Sequence, residues 1–137
     1  MDEIVLEITI PEKVSLNKIY AGVNWRTRQA WAYLYHQEFL EVKGKLKVTQ
    51  YPVVISYDFH FKKNALDSLN CAMMAKMLED GMVEYGILED DCVKHVRESR
   101  LRTQQSDRFK NDTVILTIRP LEEGEVAGKR DGEVVHD

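Results

Sequence analysis

The chain has 137 residues, 44% hydrophobic and 31% charged, with a formal net charge of −4. A chain of that length is expected to form one domain and to bury about two-thirds of the surface its unfolded form exposes. No apolar run approaches the ~20 residues of a membrane span, and the acidic, alternating start MDEIVLEITIPEK lacks the basic-then-apolar plan of a signal peptide, so a soluble cytoplasmic protein is expected.

Ile4, Leu6, Ile8 and Ile10 alternate along one face of a first strand, which Pro11 ends. A loop, VSLNKIYAG, follows. Asn24 is placed to cap a helix over 25–42, in which Trp31, Tyr35 and Phe39 recur on one face; Gly44 stops it. Val53–Phe61 is the clearest strand, with Val53, Ile55, Tyr57, Phe59 and Phe61 alternating against Val54, Ser56, Asp58 and His60. Asp67 or Ser68 can cap a second helix over 69–85, with Leu69, Met73 and Met77 in a stripe, Met74 and Leu78 beside it, and Gly86 closing it. Residues 92–103 and 113–119 read as two further strands. The order predicts an α+β fold: a small mixed sheet of about four strands with two main helices packed on it. The domain is expected over 1–120, and the glycine-bearing acidic stretch 121–137 is expected to be a disordered tail.

The negative charge is unevenly placed. From Pro120 to Asp137 there are six acids against Lys129 and Arg130, so residues 1–119 sum to zero. Lys94–Lys110 holds six bases and two acids, a local +4 able to face phosphates; an ordinary solvated strand and loop is the other reading. Cys71 and Cys92 lack a CxxC spacing, which argues against a disulfide framework or a zinc site and for two buried thiols. Neither His36, His60, His95 nor His136 shows metal spacing, although His95 lies near Asp91 in sequence.

The residues most able to carry chemistry flank the second helix. Asp67 opens it, and Asp90 and Asp91 follow it. If the chain returns so that they converge, like charges at ~3–6 Å require a cation, and hard oxygen ligands suit Mg²⁺ or Mn²⁺. Against this, Asp67 serves as a cap, Asp90 and Asp91 as turn residues, and Glu79, Asp80, Glu84 and Glu89 as a solvated helix face. Asn70, three residues past Asp67, can donate to a carboxylate or a phosphate, or complete a cap; Lys76 is expected to pair with Asp80 at i+4. Asn17, Lys18 and Tyr20 cluster in the first loop, where Asn and Lys are common phosphate donors.

LDSLN opening a helix after a strand that leaves through basic residues, followed by GILEDD and a valine, is similar to the RusA family of Holliday junction resolvases. SLNKIYAG also resembles a stretch in that family's phage-borne members, and the match runs in order over roughly residues 4–119. The resemblance implies a homodimeric, Mg²⁺-dependent endonuclease of mixed α/β fold that cuts four-way DNA junctions in recombination and repair, of phage or prophage type. It implies Asp67 as the second acid of the family's D-L-D motif and Asp90 as the later catalytic acid, with Asp91 as the alternative register. Asp67, Asp90 and Asp91 would then be metal ligands, assisted by Asn70. Lys18, Lys62, Lys63, Lys94, Arg97 and Arg100 would hold the DNA backbone, alongside Asn17 and Tyr20.

Two positions depart from the family pattern. Ala65 stands where the first acid of D-L-D is expected, and Cys71 where a lysine is common. Either Asp91, Glu79 or Asp80 supplies the missing carboxylate, or Asn70 and water complete a smaller ligand set, or the protein binds junctions without cutting them. A catalytically silent DNA-binding module and an acidic protein-interaction domain are the rival expectations.

Overall fold

A computed structural model describes residues 1–122. The expected tail beyond Glu122, with Lys129, Arg130 and His136, lies outside the described residues.

Strand β1 is Ile4–Thr9, β2 Val53–Phe61, β3 Val96–Gln105 and β4 Thr113–Pro120. They form one sheet in the order β1-β4-β2-β3, with β4 antiparallel to both its neighbours and β2 parallel to β3. This is the small mixed sheet of an α+β fold. β2 is central and almost wholly buried, as its run of aromatic and β-branched residues requires. Its inward residues Val53, Ile55, Tyr57, Phe59 and Phe61 meet the helices, and its aromatic rings stack successively.

Helix α2 spans Trp25–Gln37 and is capped as expected, Asn24 Oδ1 accepting from the Arg26 N–H at 2.7 Å. Tyr35 is buried on its inner face, and Phe39, just past its end, is buried as well. The Tyr35 hydroxyl donates to the Glu12 carbonyl, and burial holds that phenol far above its ordinary pKa, with Glu12 adding to the effect. The helix ends five residues before the expected Val42; a separate 3₁₀ turn, Leu40–Val42, follows, and Gly44 at φ 77° reverses the chain. The first loop also differs from expectation. Ser15 Oγ accepts from the Lys18 N–H at 3.2 Å and caps a short helix α1, Leu16–Tyr20.

Helix α3 is Ala72–Glu84, preceded by a 3₁₀ turn at Ser68–Cys71. Met74, Met77, Leu78 and Met82 are buried on it. Leu69 does not join the expected stripe: the tighter 3₁₀ winding swings it out to 75% exposure. Gly81 lets α2 and α3 approach closely, since a Cβ there would meet Phe39 ring carbons at 3.0 Å. Among the described residues no helix is long and apolar enough to cross a membrane.

Candidate functional site

The chain leaves β2 through Lys62 and Lys63 and turns at Asn64, φ 51°. The Leu66 carbonyl accepts from Thr103 Oγ1 at 2.7 Å, which pins the next turn to β3. Asp67 occupies the cap position of the 3₁₀ turn but does not cap with its side chain. The turn is closed by backbone instead, the Asn70 N–H donating to the Asp67 carbonyl at 2.9 Å. The Asp67 carboxylate is therefore exposed and not spent on local structure. Helix α1 packs against the same turn, bringing the segment of Asn17, Lys18 and Tyr20 beside it. Cys71 is buried there; burial pushes its thiol up to about 11, opposed by a bond from Thr103 and reinforced by the Asp67 charge.

The decisive local feature is the return of the chain along α3. Gly86 takes φ 76°, and the Ile87 and Leu88 N–H groups both donate back to the Met82 carbonyl, at 2.9 and 3.2 Å. Both side chains are buried. A thirteen-residue helix is about 20 Å long, yet Asp91 is carried back to Lys76, in the first half of that helix. Lys76 Nζ lies 2.9 Å from Asp91 Oδ2 and 3.0 Å from Asp80 Oδ1. The expected i,i+4 pair with Asp80 is present, and a long-range partner is added. Hydrogen bonding from Lys76, then its charge, holds the Asp91 carboxyl below the ordinary carboxylate range.

Glu79 completes this cleft. It does not sit on a solvated face as expected; it is half-buried against β3, where Tyr57, Ser99 and Leu101 wall a cavity of about 220 Å³. Burial raises its pKa; Lys76 opposes the rise, while Asp91 and Asp80 add to it. Its Oε1 is buried and has no hydrogen-bond partner among the described residues. A buried acceptor left unpaired costs about 1–3 kcal/mol, so the position favours a cationic or donor ligand. Carboxylate oxygens are the ligand type that Mg²⁺ and Mn²⁺ take, but the three-ligand group among the described residues is Asp90, Cys92 and His95, not the acids around Lys76.

Asp90 faces elsewhere. Its Oδ1 accepts from the Asp91 N–H at 2.7 Å, and its carboxylate groups with Cys92 and His95, all three ligand atoms within 4.8 Å of one another. Cys92 is exposed, not buried as its type suggested, because it sits in a turn ahead of β3. The three acids expected to share one ion thus have different neighbours: Asp91 joins Lys76, Asp90 joins Cys92 and His95, and Asp67 stands on the turn beside α1.

The basic residues are likewise divided. Lys63 and Lys94 are exposed, and Arg97 is exposed where the β2–β3 register shifts. Lys62 is committed to structure, its N–H donating to Asp112 Oδ1 at 2.8 Å and its amine to the Phe109 carbonyl at 3.1 Å. Arg100 points to the outer sheet face with Ser56, Asp58 and Arg102, and pairs with Glu98 at 2.9 Å. It lies on the opposite side of the sheet from Lys76 and Glu79, because alternate strand residues face opposite ways.

Neither the protein-family models nor the curated proteins compared with the chain give a match. Sequence reasoning offered Glu79 as a substitute carboxylate but placed it on a solvated face rather than half-buried, and it missed Cys92 with His95 as a pair. Their three-residue separation directly after Asp90 is the one local signal for the second group.

Proposed function

We propose that this chain is a Mg²⁺-dependent, structure-specific endonuclease of the RusA kind, which nicks four-way DNA junctions as a homodimer in the cytoplasm. The observation that carries this reading is the return of Asp91 to Lys76, beside the unpartnered Glu79 carboxylate. It gathers carboxylates from two separate segments on one cleft, in a chain whose LDSLN and GILEDD segments resemble that family. Glu79 and Asp91 would hold the ion, with Glu79 standing in for the acid absent at Ala65, while Asp67 stands apart on the turn beside α1.

Bound there, Mg²⁺ would supply a Lewis acid and lower the pKa of a nucleophilic water. The chain's own contributions are positional. Lys76 holds Asp91 ionised and bridges it to Asp80, and its ammonium can turn to a phosphate oxygen once a cation takes its place. Asn70 and Asn17 offer amide donors, and Lys18, Lys63, Lys94 and Arg97 offer charge to the backbone of a junction arm. Two symmetric nicks need two sites, which a twofold dimer provides.

The test is incubation with a synthetic four-way junction and Mg²⁺. Paired nicks are expected, and Asp91→Asn and Glu79→Gln each reduce the nicking rate by about 100-fold or more, as loss of one preorganised electrostatic contact does. Intact binding without nicking rejects the enzyme.

A second reading, a junction-binding module that does not cut, is favoured by one observation. The Lys76 ammonium already bridges Asp80 and Asp91, so the carboxylates are neutralised without a metal. That module would bind with a steep salt dependence and be indifferent to Glu79→Gln.

A further inference from the structure

The turn that follows Asp90 carries a second, chemically different set of ligands. The His95 and Val96 N–H groups both donate to the Cys92 carbonyl, at 2.8 and 2.9 Å, so Cys92 and His95 stand on one side of a single tight turn. The turn is anchored to the sheet by the Val53 N–H donating to the His95 carbonyl at 2.8 Å. Cys92 Sγ lies 3.1 Å from His95 Nδ1, and a carboxylate oxygen of Asp90 completes the group within 4.8 Å. A tetrahedral ion with Zn–S of about 2.3 Å and Zn–N of about 2.1 Å would hold sulfur and nitrogen about 3.6 Å apart. Opening 3.1 Å to that value needs only a small rotation of the exposed Cys92 side chain.

A carboxylate and an aromatic ring also lie behind the imidazole. Glu89 Oε2 lies 3.7 Å from His95 Nε2, the nitrogen turned away from Cys92. The Tyr51 ring meets the imidazole edge-on at 4.7 Å between centroids, and the Tyr51 hydroxyl accepts from the Glu89 N–H at 2.9 Å. A carboxylate on the far nitrogen is how proteins fix the tautomer and raise the basicity of a metal-bound histidine.

From this geometry we infer that Asp90, Cys92 and His95 form a binding site for a borderline transition-metal cation of the zinc class, distinct from the oxygen-only cleft around Glu79. Sulfur and imidazole nitrogen discriminate against Mg²⁺ and for Zn²⁺. Three protein ligands leave one tetrahedral position to solvent. Binding converts the Cys92 thiol to thiolate: the S–H bond breaks, the proton leaves to solvent, and the sulfur lone pair forms the metal bond, with no change of oxidation state. His95 binds neutral through Nδ1, its Nε2–H facing Glu89. The site stands independently of the nuclease reading.

The experiment is titration of the full chain, kept reduced, with Co²⁺ as the spectroscopic probe and Zn²⁺ as competitor. About one equivalent is expected to bind, with a thiolate-to-cobalt charge-transfer band that Zn²⁺ abolishes and excess Mg²⁺ does not. Cys92→Ser, at an exposed position, is expected to keep its circular dichroism and lose the band. Glu89→Gln should weaken binding roughly tenfold while keeping the band, since it only supports the histidine. A folded protein that shows no thiolate band overturns the site, as does a band that survives Cys92→Ser, which would assign it to Cys71. Junction nicking measured on the same preparations separates the two proposals: a band without nicking overturns the nuclease alone, and nicking without a band overturns the zinc site alone.

Discussion

Asp90 and Asp91 are adjacent in the chain and belong to two different chemistries. Asp91 is turned to an ammonium and two further carboxylates in a half-covered cleft. Asp90 is turned to a thiol and an imidazole in an exposed turn. The cleft is assembled by distant segments, α3 and the loop returning along it, whereas the turn is assembled within six residues, 90–95. A pair of neighbouring acids is therefore not by itself a single site: in a non-helical connection consecutive side chains diverge, and each takes the character of whatever it meets.

The sharpest way to break this contrast is to neutralise the two acids separately. Asp91→Asn is expected to lower Mg²⁺-dependent junction nicking by about 100-fold or more and to leave the cobalt–thiolate band in place. Asp90→Asn should do the reverse, weakening Co²⁺ and Zn²⁺ binding severely and nicking far less. If both variants lose both signals, the two regions are one site.

A second measurement uses stability. Burial raises the Glu79 pKa, so the folded state prefers its protonated form. That preference contributes stability below the ordinary carboxylate pKa and is lost as pH rises through the raised folded value. Glu79→Met, which removes the unpaired buried oxygen, is thus expected to stabilise the protein at neutral pH by about 1–3 kcal/mol. The gain should shrink in acid, and nicking should be lost. Asp91 has the opposite sign: Lys76 lowers its pKa, so its contribution is present above the ordinary carboxylate value and disappears as pH falls through the lowered one. Calorimetric melting across the acid range, with and without Mg²⁺, reads both. The cation should raise the melting temperature of the wild type and not of the Met variant.

The smallest effect expected is at Gly81. Alanine in a helix gains up to about 1 kcal/mol over glycine, but overpacking against a buried ring costs about 1–3 kcal/mol, and Phe39 is fully buried with ring carbons at 3.0 Å. Gly81→Ala should therefore destabilise by about 1 kcal/mol. It strains the α2–α3 seam under the cleft, so nicking should fall modestly while the Cys92–His95 turn keeps its zinc affinity.

Elements whose identity rests on a local repeat were legible in advance. The alternation in Val53–Phe61 and the i,i+4 recurrence of Tyr35 and Phe39 place these residues in the core without knowledge of their partners. The α+β class followed from the order of such elements. What escaped were features decided by a single capping oxygen or by contact across the fold. Ser15 makes α1 out of what reads as a loop, and a 3₁₀ turn before α3 turns Leu69 outward. Glu79 is on the expected helix, but its burial is set by Tyr57, Ser99 and Leu101 from other strands. Of the candidate acids, the Lys76–Asp80 pair could be anticipated from its i,i+4 spacing, whereas the capping role read for Asp67 is not taken up by its side chain; the capture of Asp91 by Lys76 required the chain reversal at Gly86, whose direction no spacing encodes.

The strand order carries a consequence for how the molecule assembles. Among the described residues no two strands joined by a short connection are paired: β4 follows β3 but lies beside β2, and β1 waits for β4. Each ladder closes over a long loop, which costs chain entropy before it returns any contact. The β2–β3 ladder closes over residues 62–95, the same segment that carries Asp67, Lys76, Glu79, Asp91, Cys92 and His95. The Lys76–Glu79–Asp91 cleft is thus absent from partly folded chains and arises only with the completed crossover, whereas the ligands at 90–95 are brought together locally, so the order in which the two sites take up metal during refolding would read the last stage of folding.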